Sequence, residues 1–101
     1  MASSKDYLDF IMEQLPSGEA SYRAMMGEYV LYYHGKVIGG IYDDRLLVKP
    51  TVSAVALLPN ALRELPYEGA KEMLLVEDVD DGVFLQTLFR SVADDLPAKK
   101  K

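Results

Sequence analysis

Four groups of residues have the types and spacing that chemistry would need. The lone histidine, His34, sits before Gly35. A Ser–His–Asp relay would have to use it, yet no serine stands in the strand-to-helix elbow that such a nucleophile occupies. With no second histidine to share a metal, His34 reads as a turn residue. The acids Glu77, Asp78, Asp80 and Asp81 precede Gly82 and invite a calcium loop. If Gly82 takes the sixth position, the third is Val79 and the twelfth Leu88, neither of which carries a carboxylate. These acids fit a solvated helix N-terminus instead. The pair Asp43-Asp44 could act as two coupled carboxylates, but adjacent turn aspartates favour Asx turns, and no other catalytic group stands beside them. The chain has no cysteine, which excludes disulfides, thiolate metal sites and cysteine nucleophiles. There is also no GxGxxG, no P-loop and no HExxH. The expectation is a protein that is not an enzyme and uses no cofactor or metal.

The fourth group mixes tyrosines with cations, and its meaning depends on the elements that position it. Residues 29–49, YVLYYHGKVIGGIYDDRLLVK, contain two turn-type pairs, His34-Gly35 and Asp43-Asp44, nine residues apart. Such pairs tolerate the positive φ that two-residue hairpin loops require. The residues around them are β-branched and aromatic, as strands prefer. Two-residue loops would set Tyr33 against Lys36, Leu31 against Ile38, Tyr42 against Arg45 and Gly40 against Leu47. Because side chains alternate along a strand, this register sorts them onto two faces. Val30, Tyr32, Val37, Gly39, Ile41, Leu46 and Val48 form a face without a charge, the expected core. Tyr29, Leu31, Tyr33, Lys36, Ile38, Tyr42, Arg45, Leu47 and Lys49, with Gly40, form an amphipathic face, the expected interaction surface. Tyrosine and arginine are enriched at protein interfaces, and the apolar members would be buried there. Gly39-Gly40 in mid-strand points to a bulge or to close approach of another backbone.

On either side of this meander the chain alternates in type. Leu8, Ile11, Met12 and Leu15 recur at helical spacing behind Ser3 and Ser4, so a helix is expected over residues 5–15. Pro16-Ser17-Gly18 stops it. Residues 19–25 suit a short strand, and Gly27 a bend. Pro50-Thr51 ends the meander and offers a cap for a helical segment reaching Leu58. After Pro59-Asn60, residues 61–65 suit a further turn, and residues 71–76 form a buried-strand type of run. Asp80 or Asp81 caps a last helix whose apolar stripe is Leu85, Leu88, Phe89, Val92 and Leu96. Hairpin-linked strands between terminal helices argue an α+β, two-layer domain around an antiparallel sheet. The expected organisation is one domain over residues 1–98 with a basic tail at 99–101.

Composition sets the partners. The chain has 101 residues, 50% of them hydrophobic and 27% charged, in the range of an ordinary globular domain. Its formal net charge is -5 even with three lysines at the end, which disfavours nucleic acid and anionic lipid and favours a protein partner or a homodimer. The N-terminus lacks an apolar signal region and no run is long enough to span a bilayer, so the expected location is cytoplasmic.

The meander also carries a family resemblance. Arg23-x-Met25-x-Gly27-x-Tyr29, Leu31-Tyr32-x-x-Gly35-Lys36, Ile41-x-Asp43-Asp44-x-Leu46 and Lys49 resemble the TfoX N-terminal domain family, named for a bacterial regulator of DNA-uptake competence genes. Pro66-Tyr67-x-Gly69-Ala70-Lys71 ahead of a strand is similar to small single-domain members. The resemblance implies a helix-flanked antiparallel sheet, a non-enzymatic role through protein contacts linked to transcription or competence, and no active site to carry over.

Overall fold

The computed structural model describes residues 4–16, 18–25 and 27–97. Ser3, proposed as a cap, and the tail at 99–101 lie outside the described residues. The elements run α1 (Lys5–Met12), β1 (Ala20–Met25), β2 (Glu28–Tyr33), β3 (Lys36–Tyr42), β4 (Arg45–Val48), α2 (Val52–Leu57), β5 (Arg63–Glu64), β6 (Met73–Val76) and α3 (Gly82–Asp95). The fold is α+β, an antiparallel sheet in the order β1-β2-β3-β4-β6-β5 with the helices layered against it. Residues 61–65, expected as a turn, instead contain β5, which pairs with β6 at the sheet's edge.

Both hairpin loops are two residues long. His34, Gly35, Asp43 and Asp44 all have φ between 54° and 78°, the double positive φ whose twist matches that of the flanking strands. Tyr33 faces Lys36 and Tyr42 faces Arg45 accordingly. Between the turns, the expected register fails at one residue. Tyr32 pairs with Val37, but Leu31 pairs with Gly39, leaving Ile38 as an extra residue in β3. A bulge of this kind places two consecutive residues on the same side of the sheet. Here those residues are Ile38, fully buried, and Gly39, where a Cβ would stand 2.1 Å from Leu47 O. Only a residue without a side chain fits second.

The bulge reverses the faces of β2 relative to β4. One row across the sheet reads Tyr22, Leu31, Gly39, Val48, Leu74, Arg63, and its neighbour reads Ala24, Tyr29, Ile41, Leu46, Val76. Leu31, Tyr33, Ile38, Ile41, Leu46, Val48, Leu74 and Val76 pack in one core with Leu8, Ile11 and Leu15 from the first helical segment, Ala54 of α2, and Leu85, Leu88, Phe89, Val92 and Ala93 of α3. Each fully buried Leu, Ile or Phe contributes about 1.5–3 kcal/mol. All three helices therefore cover the same face.

The helices start where short polar side chains can accept from free N–H groups. Ser4 Oγ accepts from Asp6 N and Tyr7 N, Thr51 Oγ1 from Ala54 N, and Asp81 Oδ1 from Phe84 N. Long-range bonds then fasten the layer. Ser4 N donates to Asp44 Oδ1 at 2.7 Å, tying α1 to the β3–β4 turn. Gln14 Nε2 donates to Val79 O and Gln86 Nε2 to Gln14 O, joining the end of the first helical segment to the start of α3. Among the described residues, no helix is long and apolar enough to cross a membrane.

Candidate functional site

The face opposite the helices is the candidate site. Its central row runs Arg23, Val30, Gly40, Leu47, Leu75, and a second row runs Ser21, Tyr32, Val37. Among the described residues, the helices pack in the core on the other side, and here Val30, Tyr32 and Val37 are half-buried while Ser21 and Arg23 are exposed. Leu47 is fully buried yet stands apart from the helical core. The segment 65–72 supplies cover on this side, with Pro66 buried and the Tyr67 ring 6.2 Å from that of Tyr42. Tyr42 lies across Gly40, where a Cβ would meet the ring at 2.6 Å. Burial, with smaller contributions from Tyr67 and Glu28, raises the Tyr42 phenol above the usual tyrosine value.

Arg45 fastens that segment to the sheet. Its Nε donates to Tyr42 O at 3.1 Å, its guanidinium pairs with Glu64, and Nη2 reaches Leu65 O at 3.5 Å. Between β3, β4 and residues 66–73 a cleft of about 660 Å³ remains, lined among others by Val37, Tyr42, Lys49, Tyr67, Lys71 and Met73. A smaller one of about 290 Å³ continues from it past Val37 and Lys49 to Tyr32 and Pro97. The lining of the larger cleft combines apolar and aromatic residues with two lysines and Glu72. Such a surface suits an apolar or aromatic anchor with an acidic flank.

The structure divides the expected surface. Tyr42, Arg45, Leu47 and Lys49 belong to the open face. Tyr29, Leu31, Tyr33, Lys36 and Ile38 lie on the helical side, a correction that follows from the extra residue in β3. Leu31 and Ile38 are core. Tyr33 packs edge-on against Phe89 with ring centroids 6.3 Å apart. Tyr29 meets Tyr22 edge-on at 5.8 Å. Lys36 Nζ donates to Ala93 O at 2.9 Å and Leu96 O at 3.1 Å, placing its charge at the carbonyl end of α3, where Ala93 O also accepts from Leu96 N. Conversely Val30, Tyr32 and Val37, expected in the core, are on the open face. Tyr67 and Lys71 join them from a segment whose place no strand periodicity could reveal.

The remaining motif residues separate. Arg23 and Met25 are exposed on β1, whereas Gly27 and Gly35 hold positive φ in turns. Asp44 receives Ser4 N, and Asp43 N donates to Glu28 Oε1 at 3.1 Å. Neither aspartate lines the large cleft, and neither does Arg23. His34 pairs with Glu19, which stands beside it just before β1, and Asp81 caps α3. Among the described residues, no group of three or more His, Cys, Asp or Glu is placed to hold a metal ion.

A protein of Spirochaeta aurantia, described as an uncharacterized 12.7 kDa protein in the trpE 5′ region, is 36% identical to this chain over 102 residues, spanning 99% of this chain and 89% of that protein. No known family profile matches the chain. No solved structure matches it.

Proposed function

This chain belongs to the same family as the Spirochaeta aurantia protein, and we propose that it works as a non-enzymatic bacterial interaction module of the TfoX N-terminal type, acting through protein contacts linked to transcription or competence. The observation that carries this reading is the sheet face opposite the helices, which the segment 65–72 covers only in part. All three helices pack on one side, and the other side presents Val30, Tyr32, Val37 and Tyr42 beside Arg23, Lys49 and Lys71. An aromatic, apolar centre with charges at its rim is the usual anatomy of a protein interface. The groups that suggested chemistry have structural partners: His34 with Glu19, Asp44 with Ser4, and Asp81 with Phe84. The resemblance of residues 23–49 to the TfoX N-terminal domain supports the same class.

The test is capture of partners from the native cytosol by wild type, Tyr32→Asp and Tyr67→Asp, with circular dichroism to show that each variant is folded. Tyr32→Asp places a carboxylate on the open face, at a residue outside the helical core. Partners held by wild type should be lost from both variants. Partners retained by folded forms of both would sink the reading.

The cleft favours a second reading, a small-molecule binding domain or small enzyme of unknown substrate. A volume of about 660 Å³ between Tyr42, Tyr67, Lys49 and Lys71 is within the range of ligand pockets. A ligand that binds only the native state raises the melting temperature. A metabolite screen that yields a shift abolished by Lys49→Met would favour this alternative, and a screen with no shift would remove its support.

A further inference from the structure

Among the described residues no strand pairs with the outer edge of β1, and that edge presents a self-complementary pattern. β1 is the outermost strand on its side, and all of its residues but Ala20 are exposed. Antiparallel strands alternate, residue by residue, between bonding one neighbour and the other. The bond from His34 N to Glu19 O therefore sets the phase along β1. Ser21, Arg23 and Met25 turn their peptide groups toward β2, while Ala20, Tyr22 and Ala24 turn theirs away from the sheet. Met25, opposite Glu28 across the turn at Gly27, fits the same phase. The outward residues are thus symmetric about Tyr22.

Natural edges are blunted by proline, inward charges, bulges or shortness. The opposite edge, β5, has two residues. β1 has six in regular pairing with β2, no proline, and one charged residue. It keeps the features of a pairing strand and lacks those guards.

We propose that β1 pairs antiparallel with β1 of a second copy about a two-fold axis normal to the sheet at Tyr22. Ala20 then faces the partner's Ala24, Tyr22 faces the partner's Tyr22, and every outward peptide group of the strand meets one of opposite hydrogen-bonding sense. Arg23 falls opposite the partner's Ser21. Centring the axis on Arg23 would set two guanidinium groups face to face, and centring it on Ser21 would leave Ala24 without a facing partner. The outward residues read Ala, Tyr, Ala in either direction, so a second copy matches the strand in residue type as well as spacing, and the contact is isologous, so it closes as a dimer. Tyr22, 42% exposed in the single chain, is covered by its counterpart. The axis keeps both helical layers on one side and joins the two open faces into one continuous surface.

The absence of cysteine makes the register directly readable in the full chain. Facing residues of a hydrogen-bonded pair have Cα atoms about 5.5 Å apart, within disulfide range. Under mild oxidation Tyr22→Cys should form a covalent dimer, and Arg23→Cys, out of register with its counterpart, should form one at least about tenfold more slowly. Sedimentation equilibrium of wild type should show a concentration-dependent monomer–dimer mixture. Tyr22→Lys should weaken it by about tenfold or more, and Tyr32→Lys on the open face should leave it unchanged. If Tyr22→Lys does not fold by circular dichroism, the cross-linking pair decides. A wild-type mass of one chain up to roughly 1 mM, equal cross-linking of the two cysteine variants, or a dimer that survives in folded Tyr22→Lys would overturn the proposal. A dimer lost in Tyr32→Lys would also overturn it, moving self-association to the open face, whereas partner capture by that face can fail while the edge dimer stands.

Discussion

Gly39→Ala should destabilise this protein by about 3 kcal/mol, a large fraction of the ~5–15 kcal/mol that holds a typical domain folded. An added Cβ would stand 2.1 Å from Leu47 O and 2.8 Å from Val48 Cα. Both atoms are backbone, and β4 is held between β3 and β6, so no rotamer change relieves the overlap. Overpacking in a tight core costs roughly 1–3 kcal/mol, and each ladder hydrogen bond disturbed by moving the strand adds about 1 kcal/mol. For a chain of this size, 3 kcal/mol lowers Tm by roughly 12–20 °C. Urea unfolding followed by circular dichroism reads the change as a lower midpoint at unchanged slope. Gly82→Ala is the control, because its Cβ meets nothing nearer than Gln14 Oε1 at 3.4 Å, and it should stay within about 0.5 kcal/mol of wild type. A Gly39→Ala protein as stable as that control would refute the close approach of β3 to β4, and with it the bulge that assigns the faces.

Lys36→Met keeps most of the aliphatic stem but removes the ammonium bonded to Ala93 O and Leu96 O. It should cost about 1–2 kcal/mol in thermal unfolding, and an unchanged Tm would show that the end of α3 does not need this charge. Asp95 Oδ2 accepts from Ser53 N at 2.7 Å and Oδ1 from Ser53 Oγ at 3.1 Å, and these bonds hold its carboxyl below the ordinary aspartate value. A depressed carboxyl stabilises the fold above its unfolded pKa and loses that contribution as pH falls through the folded one. Asp95→Asn should therefore lower Tm at neutral pH, with the gap to wild type closing on acidification below the usual aspartate range. A constant gap would contradict the assignment. For Tyr42 the sign is opposite: burial favours the neutral phenol, so its contribution holds below the ordinary tyrosine pKa and is lost as pH rises through the elevated one. The phenols of Tyr7 and Tyr33 are raised by burial as well, so spectrophotometric titration should show a late-titrating group of tyrosines that shrinks by one in Tyr42→Phe.

Much of the fold was legible because its signals are local. The residues flanking each turn pair, the caps Ser4, Thr51 and Asp81, and the stripe from Leu85 to Val92 all express preferences that a few neighbouring residues decide. Strand β5 was not legible, since two residues, Arg63-Glu64, carry no period and become a strand only by lying beside Met73 and Leu74. The candidate site was half legible for a related reason. Side-chain period along a strand is two, so a single unpaired residue moves every later side chain to the other face. Gly39-Gly40 announced an irregularity in β3, but which residue would be extra depended on Leu47 and Val48 arriving from the next strand.

The amino-acid sequence alone determined that this chain would be an α+β domain with a hairpin-linked sheet, that its turns would be two residues long, and that tyrosines and cations would share a sheet face. Those outcomes rest on φ preferences, alternation and capping, which act over a few bonds. Only the tertiary structure decided which tyrosines they are. Ile38 is driven into the helical core and Gly39 is pressed against Leu47 O, and that packing sends Tyr33 inward to Phe89 and leaves Tyr32 outside. It also turned Lys36 from a surface cation into a helix cap, because the end of α3 comes to rest over the β2–β3 turn. Burial and carbonyl proximity are properties of segments far apart in the chain, and no local pattern encodes them.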